Sequence, residues 1–353
     1  MPGYPTVDNE ARVDLGALLD RVQWIFQRCG MPAEDARLLA DSLVLADARG
    51  VHSHGVLRVP EYVRKLTVEG VNPRGRPFVA RDCGAVLVVD GDNAMGQIAC
   101  HFAMERVLER AAGFGGGAAA IRGSNHCGAL FYFAQMALPR RMIGLATTNA
   151  LPTMAPWGGR DKILGINPLA VAIPSAHEPP IILDIAFSAS SHGKIRVFHQ
   201  KGVAIPGDWA FDGNGRPTTD TTAALDGLLQ PIGGYKGTGL AIVMGVLSAM
   251  LSGAAFGTEL GNMADGPRPG HDGQFVLALN VAAFEDAARF ESRVDDLVRQ
   301  IRACRPAPGF ERCYAPGELE HLQEREYRRN GIPLNAETLA GLDVAEMAVR
   351  GAA

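Results

Sequence analysis

The residues best suited to chemistry lie in one short run, DARGVHSHGVLRVPEY, from Asp47 to Tyr62. Oxidising an alcohol beside a carboxylate needs a base for the hydroxyl proton and a cation for the carboxylate. His54 suits the first task because imidazole titrates near neutrality. Arg58 suits the second because a guanidinium pairs bidentately with a carboxylate. Ser53 stands next to His54 and is placed to orient its ring. Without that chemistry, His52 and His54 read as polar loop residues, and Arg49 and Arg58 as covers for helix ends.

A second cluster, RGSNHCGALFYFA, runs from Arg122 to Ala134. It follows an expected strand and opens an expected helix, so its backbone N–H groups suit a carboxylate or pyrophosphate, with His126 at the helix mouth. The plainer role of Asn125 and His126 is to cap that helix. Glycine-rich segments offer less. GFGGGA, Gly113 to Ala118, follows a helix and precedes a strand, the reverse of the Rossmann dinucleotide fingerprint. PIGGYKGTG, Pro231 to Gly239, brings glycines and Lys236 to the start of a helix, and on spacing alone is a weak anion site.

These clusters need a scaffold, and the hydrophobic pattern supplies one. Leu18, Leu19, Val22, Ile25 and Phe26 recur at helical spacing behind an Asp14 N-cap, and a second helix starts near Pro32 and ends at Gly50. A short helix after Pro60 ends near Gly70. Apolar runs at Val86–Val89, Ala118–Ile121, Ile143–Thr147, Leu169–Ile173 and Ile181–Ile185 predict buried strands, with helices near Ile98–Arg110 and Ala129–Leu138. Gly239 to Phe256 predicts a buried helix, since its glycines and serines argue against a membrane span. A strand over Phe275–Val281, an amphipathic helix over Phe284–Ile301 and a polar helix after Pro316 complete the pattern. The fold class is α/β, with helices from both chain ends forming one lobe (1–75 plus 316–353) around a central α/β lobe (76–315).

The composition is that of a globular chain: 353 residues, 47% hydrophobic, 20% charged and a formal net charge of -4. No basic field is available to neutralise a run of phosphates, so nucleic acid is not expected as a partner, and neither is a membrane. Cys29, Cys83, Cys100, Cys127, Cys304 and Cys313 show no zinc spacing and read as reduced thiols, so no metal is expected. The first residues, MPGYPTVDNEARVD, lack a basic stretch followed by an apolar one, which predicts a cytoplasmic location.

Taken together the motifs resemble the malate/L-lactate dehydrogenase family of the second type. The carriers are ADARGVHSHGVLRVPEYV, SNHCGALFYFAQ, LPRRMIGLATTN, APWGGRDKILGINPLAVAIP, LDIAFSASSHGKI, DGNGRPTTD, PIGGYKGTG and APGFERCYAPGE, which span nearly the whole chain. Within the family, ADARGVHSHG, HCGALFYF and PAPGFERCYAPGE are most similar to the ureidoglycolate dehydrogenase branch. The resemblance implies a NAD(P)-binding fold unrelated to the Rossmann fold and a homodimer. It implies hydride transfer between NAD, with NADP not excluded, and a small 2-hydroxy or 2-oxo acid such as malate, lactate or ureidoglycolate. It carries a Ser-His pair onto Ser53 and His54, and a substrate-carboxylate arginine onto Arg58. Cofactor contacts fall on His126, Cys127, Gly128, Ala129 and Leu130, on Asp184, Ile185 and Ala186, on Lys236, and on Pro316, Gly317 and Glu318. One branch of the family names the equivalent of His54 as the proton donor; another names the equivalent of His126 as the proton acceptor.

The chain also departs from the family pattern. Ile166 replaces a threonine near the substrate, Phe187 stands where a threonine often precedes Ser188, and Ala150-Leu151 replaces the Ser-Asp pair of the ureidoglycolate branch. Losing those polar groups predicts a more apolar pocket. Imine reductases of the family place an acidic residue after His-Gly, whereas this chain reads His192-Gly193-Lys194. That favours a hydroxy acid over the alternative, a cyclic imine such as pyrroline- or piperideine-2-carboxylate. A non-catalytic dinucleotide-binding protein is the remaining alternative; joint retention of Ser53, His54, Arg58 and His126 argues against it.

Overall fold

The computed structural model describes residues 10–200, 202–261 and 267–351; the first nine residues of the segment read for targeting lie outside it. Helix α1 (Leu15–Arg28) starts where the Asp14 carboxylate accepts the Ala17 N–H at 2.9 Å. Its apolar stripe, Leu18, Val22, Ile25 and Phe26, packs on Leu39 and Leu43 of α2 (Ala33–Ala48) and on Val59, Tyr62 and Leu66 of α3 (Val59–Thr67). Each such aliphatic side chain contributes roughly 1.5–3 kcal/mol on full burial. Ile332, Leu334, Leu342 and Val349 join the same cluster, and Ala11–Val13 pairs antiparallel with Ile332–Leu334. Segments from opposite ends of the chain thus share one core.

The centre is a seven-stranded sheet of β1 (Phe78–Cys83), β2 (Val86–Asp90), β3 (Gly116–Ser124), β4 (Met142–Thr148), β5 (Leu169–Ile173), β6 (Ile181–Ile185) and β7 (Asp272–Asn280). Their spatial order is β1-β2-β3-β7-β4-β5-β6. Only β2 and β3 run parallel, joined by the crossover helix α4 (Gly96–Phe114), because a parallel neighbour cannot be reached by a tight turn. Every other ladder in the sheet is antiparallel, including the β5–β6 hairpin that brings Asp184 opposite Ala170. Met104 and Val107 of α4 pack against Ile121 and Val276, and Phe131 and Phe133 extend this second core. A third cluster, around Met154, Phe187, Ile195 and Trp209, sits in the segment between β4 and β7.

Two expectations need correction. The helix expected over Ala129–Leu138 is one α-turn, α5 (Phe131–Ala134), followed by a 3-10 segment, Gln135–Arg140. Pro139 has no N–H to continue an α-helix. The segment expected to be a buried helix after Gly239 is helical over Tyr235–Gly245 and continues as a wider turn over Val246–Met250, but it is not buried on all sides. Leu240, Val243, Met250 and Leu251 are 46–56% exposed. Among the described residues no helix is long and apolar enough to cross a membrane.

Candidate active site

The loop after α2 is pinned by a buried acid. Asp47 accepts the Val56 N–H at 2.7 Å through one carboxylate oxygen and holds His52 Nδ1 at 2.8 Å with the other. Gly55 is required there, since a Cβ would lie 2.1 Å from Asp47 Oδ1. Two short turns, His52–His54 and Val56–Arg58, result, and they present Ser53 and His54 to a cleft. Ser53 Oγ lies 2.9 Å from His54 Nδ1. Arg58 donates from Nε to the Ser53 carbonyl at 2.9 Å and pairs with Glu61 at 2.9 Å.

Across the cleft, the loop after β3 carries His126, whose ring stacks on His54 with centroids 5.8 Å apart and planes 11° from parallel. Tyr62 of α3 reaches out of the helical core, and its hydroxyl lies 2.6 Å from His126 Nδ1. Gly128 adopts φ +74°, a left-handed conformation that favours glycine, and donates its N–H to the same nitrogen at 3.3 Å. Burial and the Arg58 charge push the His54 pKa down to about 4. Burial, Arg58 and His54 together hold His126 well below the usual histidine range. Both rings are therefore neutral near pH 7.

The cleft holds about 240 Å³. Of the residues predicted from sequence, Ser53, His54, Gly128, Ala129, Leu130, Ile166, Asp184 and Ala186 line it. His126 stacks at its edge, and Cys127 is buried beside it. Arg58 does not line the cleft, although its charge acts on both histidines. Ile185 packs toward the third core instead. Ser191 lines the cleft, whereas its neighbour His192 has a buried Nε2 without a hydrogen-bond partner among the described residues, and Gly193 is exposed. The Pro316 carbonyl accepts the Ile182 N–H at 3.0 Å and Gly317 packs on Ile182, so both support the cleft wall from behind. Glu318 turns its carboxylate to Arg302, Arg312 and the Ala315 N–H, and Lys236 is exposed; neither lines the cleft.

The anion-binding helix mouth expected at residues 129–131 is already occupied. Asp184 accepts the Phe131 N–H at 2.8 Å and also takes the Leu130 N–H, so those donors are spent within the protein. Asn125 does not cap this helix either; its amide bonds to Asn93, Ala94 and Gly270. A cation does stand in the cleft wall, at a residue the sequence presents only as a helix-end cover. Arg49, at the end of α2, lies in the cleft wall with its guanidinium 4.7 Å above the Phe131 ring and 3.3 Å from Glu324. Its buried Nε has no hydrogen-bond partner among the described residues. Glu320 also lines the cleft unannounced by any motif.

A neutral, oriented imidazole beside a guanidinium, in a mostly apolar cleft at the edge of a mixed sheet, is the equipment of an enzyme that oxidises a carbinol next to a carboxylate. The comparisons agree: residues 13–343 match the malate/L-lactate dehydrogenase family, and the chain belongs to it. L-sulfolactate dehydrogenase of Methanocaldococcus jannaschii is 37% identical over 88% of this chain and 89% of its own. Ureidoglycolate dehydrogenase (NAD(+)) of Escherichia coli O157:H7 is 34% identical over 87% and 88%. The solved sulfolactate dehydrogenase structure from M. jannaschii superposes with a TM-score of 0.91, covering 96% of this chain and 98% of that one. The protein is an oxidoreductase that moves a hydride between a nicotinamide dinucleotide and a 2-hydroxy or 2-oxo acid.

Proposed function

We propose that the chain is an NAD-dependent dehydrogenase of a small 2-hydroxycarboxylate with an apolar rather than a ureido side chain. His54 exchanges the proton, and Arg58, which stands beside the cleft rather than in its wall, reaches the carboxylate past Ser53. The observation that carries this reading is the neutral His54 ring, tied to Ser53 at the cleft and facing the Arg58 charge. In the tautomer that donates Nδ1–H to Ser53 Oγ, His54 keeps the Nε2 lone pair for a substrate hydroxyl. As the C–H hydride leaves the carbinol carbon, that hydroxyl proton passes to Nε2, and the product carbonyl remains beside Arg58. Ile166 in the cleft wall supports the apolar preference, because a ureido group buried against it would lack partners.

The cleft suits the reactive end of a dinucleotide: the partnerless Arg49 Nε fits an anionic group, and Gly128, Ala129 and Ala186 let backbone approach closely. When bound, the nicotinamide supplies the hydride-accepting carbon. Ala129, Leu130 and Phe131, which line the cleft, would keep water from it. We assign the central lobe, residues 76–315, to the dinucleotide and the helical lobe, 1–75 with 316–353, to substrate and, together with the exposed central-lobe helix around Leu240–Leu251, to dimer contacts. The exposed apolar side chains Leu240, Val243, Met250 and Leu251 support a homodimer, since such surfaces are uncommon on monomers. Six free cysteines support a reducing compartment, the cytoplasm.

The test is a screen that follows absorbance of the reduced nicotinamide. 2-Oxo acids with alkyl, carboxymethyl, sulfomethyl and ureido side chains, and pyrroline- and piperideine-2-carboxylate, are offered with NADH and with NADPH. Turnover of an alkyl 2-oxo acid with NADH is expected. Faster turnover of the cyclic imines would replace this reading with that of an imine reductase.

A further inference from the structure

The two stacked histidines are held by opposite kinds of partner. His54 Nδ1 faces a serine hydroxyl, which can accept as readily as it donates. His126 Nδ1 faces the Gly128 backbone N–H at 3.3 Å, which can only donate, and the Tyr62 hydroxyl at 2.6 Å. Gln97 Nε2 donates to the Tyr62 oxygen at 3.4 Å, which leaves the tyrosine's own hydrogen for the imidazole. Burial raises the Tyr62 pKa, so this hydrogen stays in place. Arg58, Glu61, His54 and Cys127 are the other titratable or charged groups around the pair, and Arg58 disfavours a second proton on either ring.

We propose that Tyr62 is a positioning residue which, with the Gly128 N–H, fixes neutral His126 in the tautomer protonated at Nε2. In that state His126 has no lone pair to offer a substrate hydroxyl. It presents an N–H that stabilises the developing carbonyl oxygen, and proton exchange falls to His54 alone. Fixing the tautomer through the second ring nitrogen is a general means of setting what the first can do. The inference rests on the dehydrogenase reading for its consequence, but not for its geometry.

Two measurements on full-length protein test it. A long-range ¹H–¹⁵N spectrum of histidine-labelled wild type, with His126 assigned by its loss in His126→Asn, is expected to show a protonated Nε2 and an unprotonated Nδ1. A protonated Nδ1 in the resting protein would overturn the proposal, whether or not any hydroxy acid is turned over. Tyr62→Phe is expected to shift His126 toward a tautomer mixture and to lower kcat roughly tenfold, the equivalent of one hydrogen bond, while KM for the dinucleotide stays within about twofold. An unchanged tautomer with unchanged kcat in a folded Tyr62→Phe protein would remove Tyr62 from the role.

Discussion

At the scale of single residues, the depressed pKa of His54 has consequences for both catalysis and stability. An imidazole that protonates only near pH 4 accepts a hydroxyl proton well into the acid range, so the acid limb of kcat/KM for alcohol oxidation is expected clearly below the usual histidine value of about 6.5. Replacing His54 with Asn should lower kcat at least about a hundredfold and leave dinucleotide binding, read by fluorescence quenching, unchanged. The same shift acts on folding. Between about pH 6.5 and about pH 4 the unfolded chain carries a proton at His54 that the folded chain refuses, so stability falls as pH falls through that window. In His54→Asn the slope of Tm against pH should flatten there. Arg58 is already oriented by the Ser53 carbonyl and Glu61, so Arg58→Lys loses a preset fork as well as a hydrogen-bond pattern. KM for the acid is expected to rise by roughly ten- to a hundredfold with cofactor affinity intact; an unchanged KM would place the carboxylate elsewhere.

At the scale of elements, the site depends on Asp184 of β6 closing the N-terminus of α5. Asp184→Ala leaves the Leu130 and Phe131 amides without their acceptor and should cost about 1–3 kcal/mol in urea unfolding at pH 4. Crowding by the surrounding loop raises the Asp184 pKa to about 6 although the side chain keeps a face open to the cleft, so its contribution is largest at low pH and declines as pH rises from about 4 to about 6. The wild type's advantage over Asp184→Ala should shrink across that interval. How much of this was readable varies with the distance over which each feature is specified. Strands such as Leu169–Ile173 and Ile181–Ile185 announce themselves as short apolar runs, and Ser53, His54 and Arg58 share one loop. The bond between Tyr62 and His126 joins residues 64 positions apart, and Asp184 meets Phe131 across 53. Only the fold brings those together. Arg49 was visible but passed for a helix-end cover, because nothing in its neighbours tells of a cleft wall built from β6 and α5.

At the scale of the whole molecule, the exposed run Leu240, Val243, Val246, Met250 and Leu251 is where a second copy is expected to dock. Val243→Glu, on the open side of that helix, should shift sedimentation toward the monomer while far-UV circular dichroism stays unchanged; a dimer undisturbed by the charge would put the interface on another face. The helical lobe carries a different implication. Its core joins Leu18 and Phe26 to Ile332 and Val349, and its edge strand Ala11–Val13 finds its partner only at Ile332–Leu334. On a ribosome adding 5–20 residues each second, α1 to α3 must therefore wait on the order of tens of seconds with an apolar face uncovered before the chain that seals it emerges. The central sheet closes earlier, but it too waits for its last strand, β7, which sits between β3 and β4. Nascent chains stalled after β7 has emerged but before residue 332 should accordingly carry a protease-resistant sheet and a protease-sensitive beginning, a state in which a holdase chaperone would find its natural client.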